Sequence, residues 1–488
     1  MTDLGSSDLM VSLVQSATLL PLVLLAVPAG TLGDLIDRRR ILLWCQGILI
    51  LVNALFAYLV MIDAANVPLL LLFTLLNGAG AAFAGPLLSA IIPQLVCREN
   101  LSTAMSIGGI SFNLSRAIGP IVGGYLLARF SLDLPFWIDA ASFGAVVAVI
   151  WFWQDKRATA DELPPQVFQL AVLDSVRFLR YTPALYNSVF RALCFFFGAG
   201  ALWALMPVLA KDQLGGDATL YGYLLGAAGG GAVVSGLFYD RINAVFGGAN
   251  RLVVIAGITM GVSLFGLGSA QQSVIAFVAA TLAGVAWQLS FTSLITSTQY
   301  ALPKWFGVRG MAYYFMAMGL SLAVGSALWG WLSDLTSIPV SFYAAAIMSG
   351  LLALLGRRFP LDQAADADLT AFTRYPQAAV VIDADEDPGG LILVRNCYQI
   401  PEGQIKTGIQ KVRGLRNKRY RSGAVRWHLY QPTEDPTQLH ESYSEVAWTV
   451  ANRHDQRITK ADEAAFRSFS DWLEDVGGSC RQEQFREV

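Results

Sequence analysis

From Met1 to about Phe359 the chain is a succession of uncharged apolar runs, each near twenty residues, separated by short polar knots. A bilayer core roughly 30 Å thick takes about 20 apolar residues per helix, and a spanning segment must satisfy its own backbone hydrogen bonds. The runs at 9–32, 41–62, 68–96, 101–128, 135–154, 187–210, 219–239, 252–270, 273–300, 310–333 and 338–356 therefore read as eleven membrane-spanning helices. The first run has neither the basic leader nor the small-residue cleavage site of a signal peptide, so it is expected to stay in the membrane. Only 14% of residues are charged, against about a quarter in a soluble domain.

Lysines and arginines set the orientation, because they resist translocation. With the spans numbered in order and the "GTLGDLIDRRR" knot placed in the cytoplasm, that side holds fourteen basic residues and the other holds Arg129 and Lys211. The bias puts Met1 outside and the tail from Pro360 inside. A net charge of −2 gives no sign of a nucleic-acid partner. The five cysteines are scattered without a CxxC, so neither a disulfide framework nor a metal site is expected. No GxxxxGK[ST] occurs, which excludes a P-loop, and no other cofactor is implied.

A repeat runs through the apolar region. Gly30 and Asp34 in "GTLGD" match Gly236 and Asp240 in "GLFYD" at an offset of 206 residues, and Gly119 and Gly124 match Gly325 and Gly330 at the same offset. A six-span unit duplicated in parallel is a transporter architecture. The second half has a span, 187–210, before its glycine–aspartate helix, whereas the first half begins with that helix. One further span is therefore expected upstream of Met1; a protein with eleven spans is the alternative.

"GTLGDLIDRRRILL" resembles the loop signature of the major facilitator superfamily, Gly-x-Leu-x-Asp-Arg-x-Gly-Arg-Arg/Lys, through Gly30, Leu32, Asp34, Arg38 and Arg39. Leu35 and Asp37 stand where that signature has arginine and glycine. The second copy keeps Gly236, Asp240 and Arg241. The first two spans, "RAIGP" in span four and the soluble tail resemble the branch of enterobactin-exporter-like proteins and transmembrane secretion effectors. The implied fold is an all-α polytopic bundle of the major facilitator type, with eleven of twelve helices present and a C-terminal α+β domain.

The resemblance implies that Asp34 meets the N-terminal end of span ten, a charge–dipole contact contributing up to about 2 kcal/mol, and that Arg38 and Arg39 add salt links between neighbouring helices. Together they would latch the two halves at the cytoplasmic face; the alternative is that the arginines only anchor the loop. Gly222, Gly226 and Gly230, and Gly119 with Gly123, have the spacing that lets helix backbones approach in lipid. Ionisable residues within spans are expensive and functional by default. Arg116 in span four is the first candidate for the cavity, as an anion contact or as half of an ion pair. Asp139 near the outer face is the one carboxylate within a span placed to carry a coupling proton; the alternative is an ordinary charge at a helix N-terminus. Gln15, Asn113 and Gln288 are polar candidates for the cavity wall.

The domains follow as an N-terminal bundle of five spans (1–154), a linker (155–186), a C-terminal bundle of six spans (187–358), an acidic linker (359–385) and an α+β domain (386–488). In the first linker "FQLAVLDSVRFLRY" puts Phe168, Val172, Val176 and Leu179 on one face, as in a helix lying on the membrane surface. The last domain reads as strands at 391–398, 424–431 and 438–445 with helices near 401–418 and 446–475, and resembles the ferredoxin-like fold of antibiotic-biosynthesis monooxygenases. His428, His440 and His454 lack metal-ligand spacing. The basic stretch "KVRGLRNKRYR" suits anionic headgroups. The expected function is secondary active export of a small amphipathic molecule from the bacterial inner membrane, coupled to an ion, the proton first among them. The rival is a non-transporting scaffold whose working part is the tail as sensor, dimerisation module or enzyme.

Overall fold

The computed structural model describes residues 8–153, 168–216, 218–361, 392–445 and 459–486. Helices dominate: α1 (Asp8–Leu35), α2 (Arg38–Met61), α3 (Val67–Leu95), α4 (Leu101–Arg129), α5 (Leu134–Phe152), α6 (Phe168–Tyr181), α7 (Pro183–Val208), α8 (Ala218–Leu237), α9 (Tyr239–Val245), α10 (Ala249–Gly268), α11 (Ser273–Tyr300), α12 (Gly307–Leu335) and α13 (Ile338–Gly356). The tail adds β1 (Ile392–Gln399), α14 (Ile405–Ser422), β2 (Arg426–Tyr430), β3 (Gln438–Glu445), α15 (Lys460–Asp475) and β4 (Ser479–Arg486). The chain forms two compact units. The first holds the long apolar helices; the second joins α6, the Ala301–Gly307 connection and the tail.

Among the described residues, nine helices are long and apolar enough to cross a membrane. The two other expected spans are also helices. The run 9–32 lies in α1, and α4 is made less apolar by Ser102, Ser106, Ser111, Asn113, Ser115 and Arg116. Helix starts are written locally: the Asp37 side chain accepts from the Arg39 N–H and Asn66 from the Leu69 N–H, each satisfying a first-turn donor. Asp37 thus departs from the family's glycine and becomes an N-cap. A cluster of Leu42, Leu87, Ala90, Ile91, Ile150 and Val308 joins α2, α3, α5 and the start of α12.

The expected glycine seam is not where the spacing put it. A Cβ built on Gly119, Gly123, Gly222, Gly226 or Gly230 meets no atom within 4 Å. Close backbone approach occurs instead at Gly284, whose added Cβ would sit 1.8 Å from the Ala228 carbonyl oxygen, and at Gly325, 2.3 Å from that of Phe197. Gly284 therefore fixes the α8–α11 distance. Gly284→Val is expected to force these helices apart and to lower the melting temperature of the detergent-solubilised chain, an overpacking cost of about 1–3 kcal/mol; an unchanged melting curve would refute the role given to Gly284.

In the second unit the tail forms an antiparallel four-stranded sheet in the order β2-β3-β1-β4. Its core holds Tyr398, Ile400, Val412, Leu415, Leu439, Phe466, Phe469 and Leu473, so α14 and α15 cover one face. The fourth strand, "SCRQEQFR", was not foreseen, because it lacks apolar alternation. The stretch 446–458, expected to be helical, lies outside the described residues together with His454. Helix α6 buries Ala171, Ser175 and Phe178, with Thr182 next to its end, while Phe168 and Val176 of the expected apolar face are exposed and Val172 and Leu179 are half-buried.

Candidate functional site

Asp34 stands in the last turn of α1, where the negative end of that helix's own dipole disfavours a carboxylate. Its side chain is nevertheless 1% exposed, because four donors surround it. The Val308 N–H donates to Oδ1 at 3.2 Å and the Arg309 N–H to Oδ2 at 3.0 Å, so the carboxylate closes off the free N–H groups that begin α12. The Arg309 Nε adds a contact of 3.2 Å and Arg38 Nη2 one of 3.0 Å. Arg38, itself buried, also donates from Nη1 to the Ala90 carbonyl of α3 at 3.0 Å.

The salt links expected of the arginine pair take another form. Arg38 pairs with Asp34, and Arg39 caps α5, donating to the carbonyls of Ile150 and Trp151. A helix C-terminus carries free carbonyls and partial negative charge, which a guanidinium suits. Gly30 lets α1 come this close: a Cβ there would lie 2.6 Å from Ala312 Cβ and 3.0 Å from the Val308 carbonyl oxygen. Leu32 is half-buried beside it.

The second copy contacts the equivalent helix start of the other half, through side-chain hydroxyls. Asp240, on the short α9, accepts from Ser102 Oγ at 2.8 Å and Thr103 Oγ1 at 2.6 Å, in the first turn of α4. The Gly236 carbonyl accepts from Ser106 Oγ at 2.7 Å, and a Cβ on Gly236 would meet Ile110 at 2.5 Å. Ser102, Thr103 and Ser106 were not singled out in the sequence, although the signal was present: the 206-residue offset carries Ser102 and Thr103 onto Val308 and Arg309. Each half thus presents an aspartate to the equivalent helix start of the other half. The copies differ in environment, since Asp240 is exposed and Arg241 lies exposed beside it.

Other candidates meet between α4 and α11. Asn113 Nδ2 donates to Gln288 Oε1 at 2.9 Å, and Gln288 Nε2 donates to the Ser106 carbonyl at 3.2 Å and to Thr292 Oγ1 at 3.1 Å. Gln288 is fully buried in this network, so it is not an open wall residue; Asn113 does line a small cavity, with Trp203, Leu225, Gly229, Gly284 and Trp287 among its neighbours. Gln288 belongs to a longer polar run that the sequence reading passed over: Ser290, Thr292, Ser293, Thr296, Ser297, Thr298 and Gln299 of α11 are all buried. Gln299 Nε2 reaches the Ser89 carbonyl of α3 at 2.7 Å. Asp139 sits half-buried in the second turn of α5. Gln15 and Arg116 lie in α1 and α4, and their side chains are outside the described residues.

The tail has its own buried charge. Glu441, fully buried, accepts from Tyr398 Oη at 2.7 Å, Asn396 Nδ2 at 2.8 Å, Trp427 Nε1 at 2.9 Å and Arg419 at 3.3 Å. Burial alone would raise its pKa, but Arg419 and the three neutral donors hold it below the ordinary glutamate value. Arg419 in turn lies over the rings of Tyr443 and Phe466, at 4.6 and 4.5 Å. Every partner is satisfied within the protein, which marks a structural pair. His428 is exposed and His440 half-buried, and no group that could hold a metal occurs among the described residues.

The staphyloferrin A transporter of Staphylococcus aureus is 23% identical over 332 residues, covering 68% of this chain and 82% of that protein. The multidrug efflux pump Tap of Mycolicibacterium fortuitum is 25% identical over 377 residues, covering 73% and 88%. The enterobactin exporter EntS of Escherichia coli is 26% identical over 339 residues, covering 67% and 78%. Among solved structures, the E. coli fucose:proton symporter superposes with a TM-score of 0.59 at 14% identity over 72% of this chain and 91% of that one. The human organic anion transporter TETRAN gives 0.60 at 18% identity, over 70% and 83%. These are transporters rather than enzymes. The family model described as transmembrane secretion effector matches residues 1–473, and the chain belongs to that family of major facilitator transporters.

Proposed function

We propose that this chain is a secondary active exporter of a small amphipathic metabolite or drug, coupled to an ion, with the proton first among candidates, and working by alternating access. The observation that carries the reading is the exchange of contacts between halves: Asp34 on the start of α12 and Asp240 on the start of α4. Two carboxylate-to-helix-start contacts of this kind form a latch that holds one end of the bundle shut and can be broken when the halves rock. The cross-half contacts described above fall within 101–113 of α4, whereas Gly119 and Gly123 further along that helix meet no atom within 4 Å. The contacts support a state closed at the Asp34 end.

The distribution of basic residues supports a cytoplasmic position for the closed end and for the tail, in the bacterial inner membrane. The relatives that handle staphyloferrin A, enterobactin and drugs support export of such compounds. Asp139 is the candidate proton carrier and Arg116 the candidate contact for an anionic substrate group. The β-α-β-β-α-β order and the β2-β3-β1-β4 sheet support the ferredoxin-like reading of the tail, whose dimerisation is a further reading. The scaffold alternative gives no reason for latch contacts in both halves.

The test uses inside-out vesicles carrying the full chain, an acidic lumen, and enterobactin, staphyloferrin A and ethidium as probes. Accumulation of at least one probe that collapses with an uncoupler is expected. Accumulation no greater than in vesicles without the chain, for all three, would overturn the proposal.

A further inference from the structure

The linker helix α6 has two working stripes. On one, Phe178 is 3% exposed. Its ring lies 4.2 Å from that of Phe306 and 5.4 Å from that of Trp305, both in the short connection ahead of α12. On the other, Tyr181 stacks on Tyr420 of α14 at 4.3 Å with an interplanar angle of 9°. One turn earlier, Arg177 Nη1 donates at 3.2 Å to the carbonyl of Gly423, the residue that ends α14. Arg177 is held in place by Asp174 at 3.1 Å, and the Arg416 guanidinium lies over the Tyr420 ring at 5.6 Å. A surface-lying amphipathic helix has one apolar face for lipid. Here the Ala171, Ser175 and Phe178 stripe is buried and the neighbouring stripe carries polar and aromatic contacts to the tail.

Phe306 is fully buried and stands two residues before Val308, whose N–H, with that of Arg309, receives Asp34. The turn that α6 grips is therefore the covalent approach to the latch. We infer that the tail domain regulates transport through α6: seated on α6 by Tyr420 and Gly423, it fixes the 301–307 turn and with it the start of α12, favouring the latched state. The inference rests on the latch reading of Asp34. A tail that shifts off α6 frees the turn, and the latch opens more often.

The test reads latch opening rather than transport. Val308 is fully buried, so a full-length chain carrying Val308→Cys is labelled by a water-soluble maleimide only when the latch opens, and peptide mass spectrometry separates this site from the native thiols. Tyr420→Ala and Arg177→Met are expected to speed labelling by about three- to tenfold, the change that corresponds to losing one aromatic pair or one charge-assisted hydrogen bond. Tyr420→Phe, which keeps the stack, is expected to match the parent. Arg177→Met lies outside the tail and leaves the tail's own core untouched, so its effect does not depend on tail folding. Unchanged rates in both Tyr420→Ala and Arg177→Met, in a background where Asp34→Asn does speed labelling, would overturn this inference alone. No effect of Asp34→Asn would instead remove the latch reading beneath it.

Discussion

Asp34→Asn is expected to reduce probe efflux to below about a tenth of the parent rate while leaving membrane insertion intact. The carboxylate makes four contacts at once: two backbone N–H groups of α12 and the side chains of Arg309 and Arg38. An asparagine has the same size but offers one acceptor oxygen. Its amide N–H₂ must then face either the Val308 or the Arg309 N–H, donor against donor, and two buried guanidinium groups lose their counter-charge. The charge–dipole part alone contributes up to about 2 kcal/mol, which moves a two-state equilibrium by roughly thirtyfold. A transporter confined to one posture does not cycle. Asp240→Asn is expected to do less, because Asp240 is exposed and its partners are hydroxyls that can also donate to an amide oxygen. Normal efflux by the Asp34 variant, or a larger defect in the Asp240 variant, would refute the assignment of the main latch to the first copy.

Much of this site could be read before any coordinates. Orientation from the basic residues, together with the family signature, pointed Asp34 at the start of α12, and Asp34 lies there. Reading the offset in the other direction would have found Ser102 and Thr103 as well. Packing was harder to read. Small residues every fourth position state that a helix can be approached, not that a neighbour stands on that side; Gly226 meets nothing within 4 Å while Gly231, one residue beyond the series, would meet the Thr281 carbonyl oxygen at 2.2 Å. The polar run of α11 escaped notice because serine and threonine are only weakly disfavoured in an apolar helix, where the side chain can donate back to the preceding turn, as Thr298 does to the Leu294 carbonyl. The other stripes of α6 were illegible for a related reason: hydrophobic periodicity marks one apolar face, whereas α6 also packs on an aromatic turn through Phe178 and on the tail through Arg177 and Tyr181.

In the tail, the decisive prediction concerns Glu441. Removing one partner of a buried ion pair leaves the other charge uncompensated, at a cost of about 3–5 kcal/mol. Glu441→Gln strands Arg419, which the rings of Tyr443 and Phe466 keep from water, so the tail transition in a melting scan of the full chain is expected to fall by more than about 10 °C. The double variant Glu441→Leu with Arg419→Met removes both charges and is expected to recover most of the loss, since apolar replacement of a whole buried pair is often neutral. The pH dependence has the same origin. The folded pKa of Glu441 lies below the ordinary value of 4.5, so its contribution is complete above that value and is lost as the pH falls through the folded pKa. Between neutral pH and 5 the tail should keep this stabilisation; below 4 it should melt progressively earlier, and the double variant should lack that acid limb. An acid limb retained in the double variant would assign the pH sensitivity to other carboxylates, and a Glu441→Gln transition within a few degrees of the parent would show that the buried pair does not hold the sheet to α14.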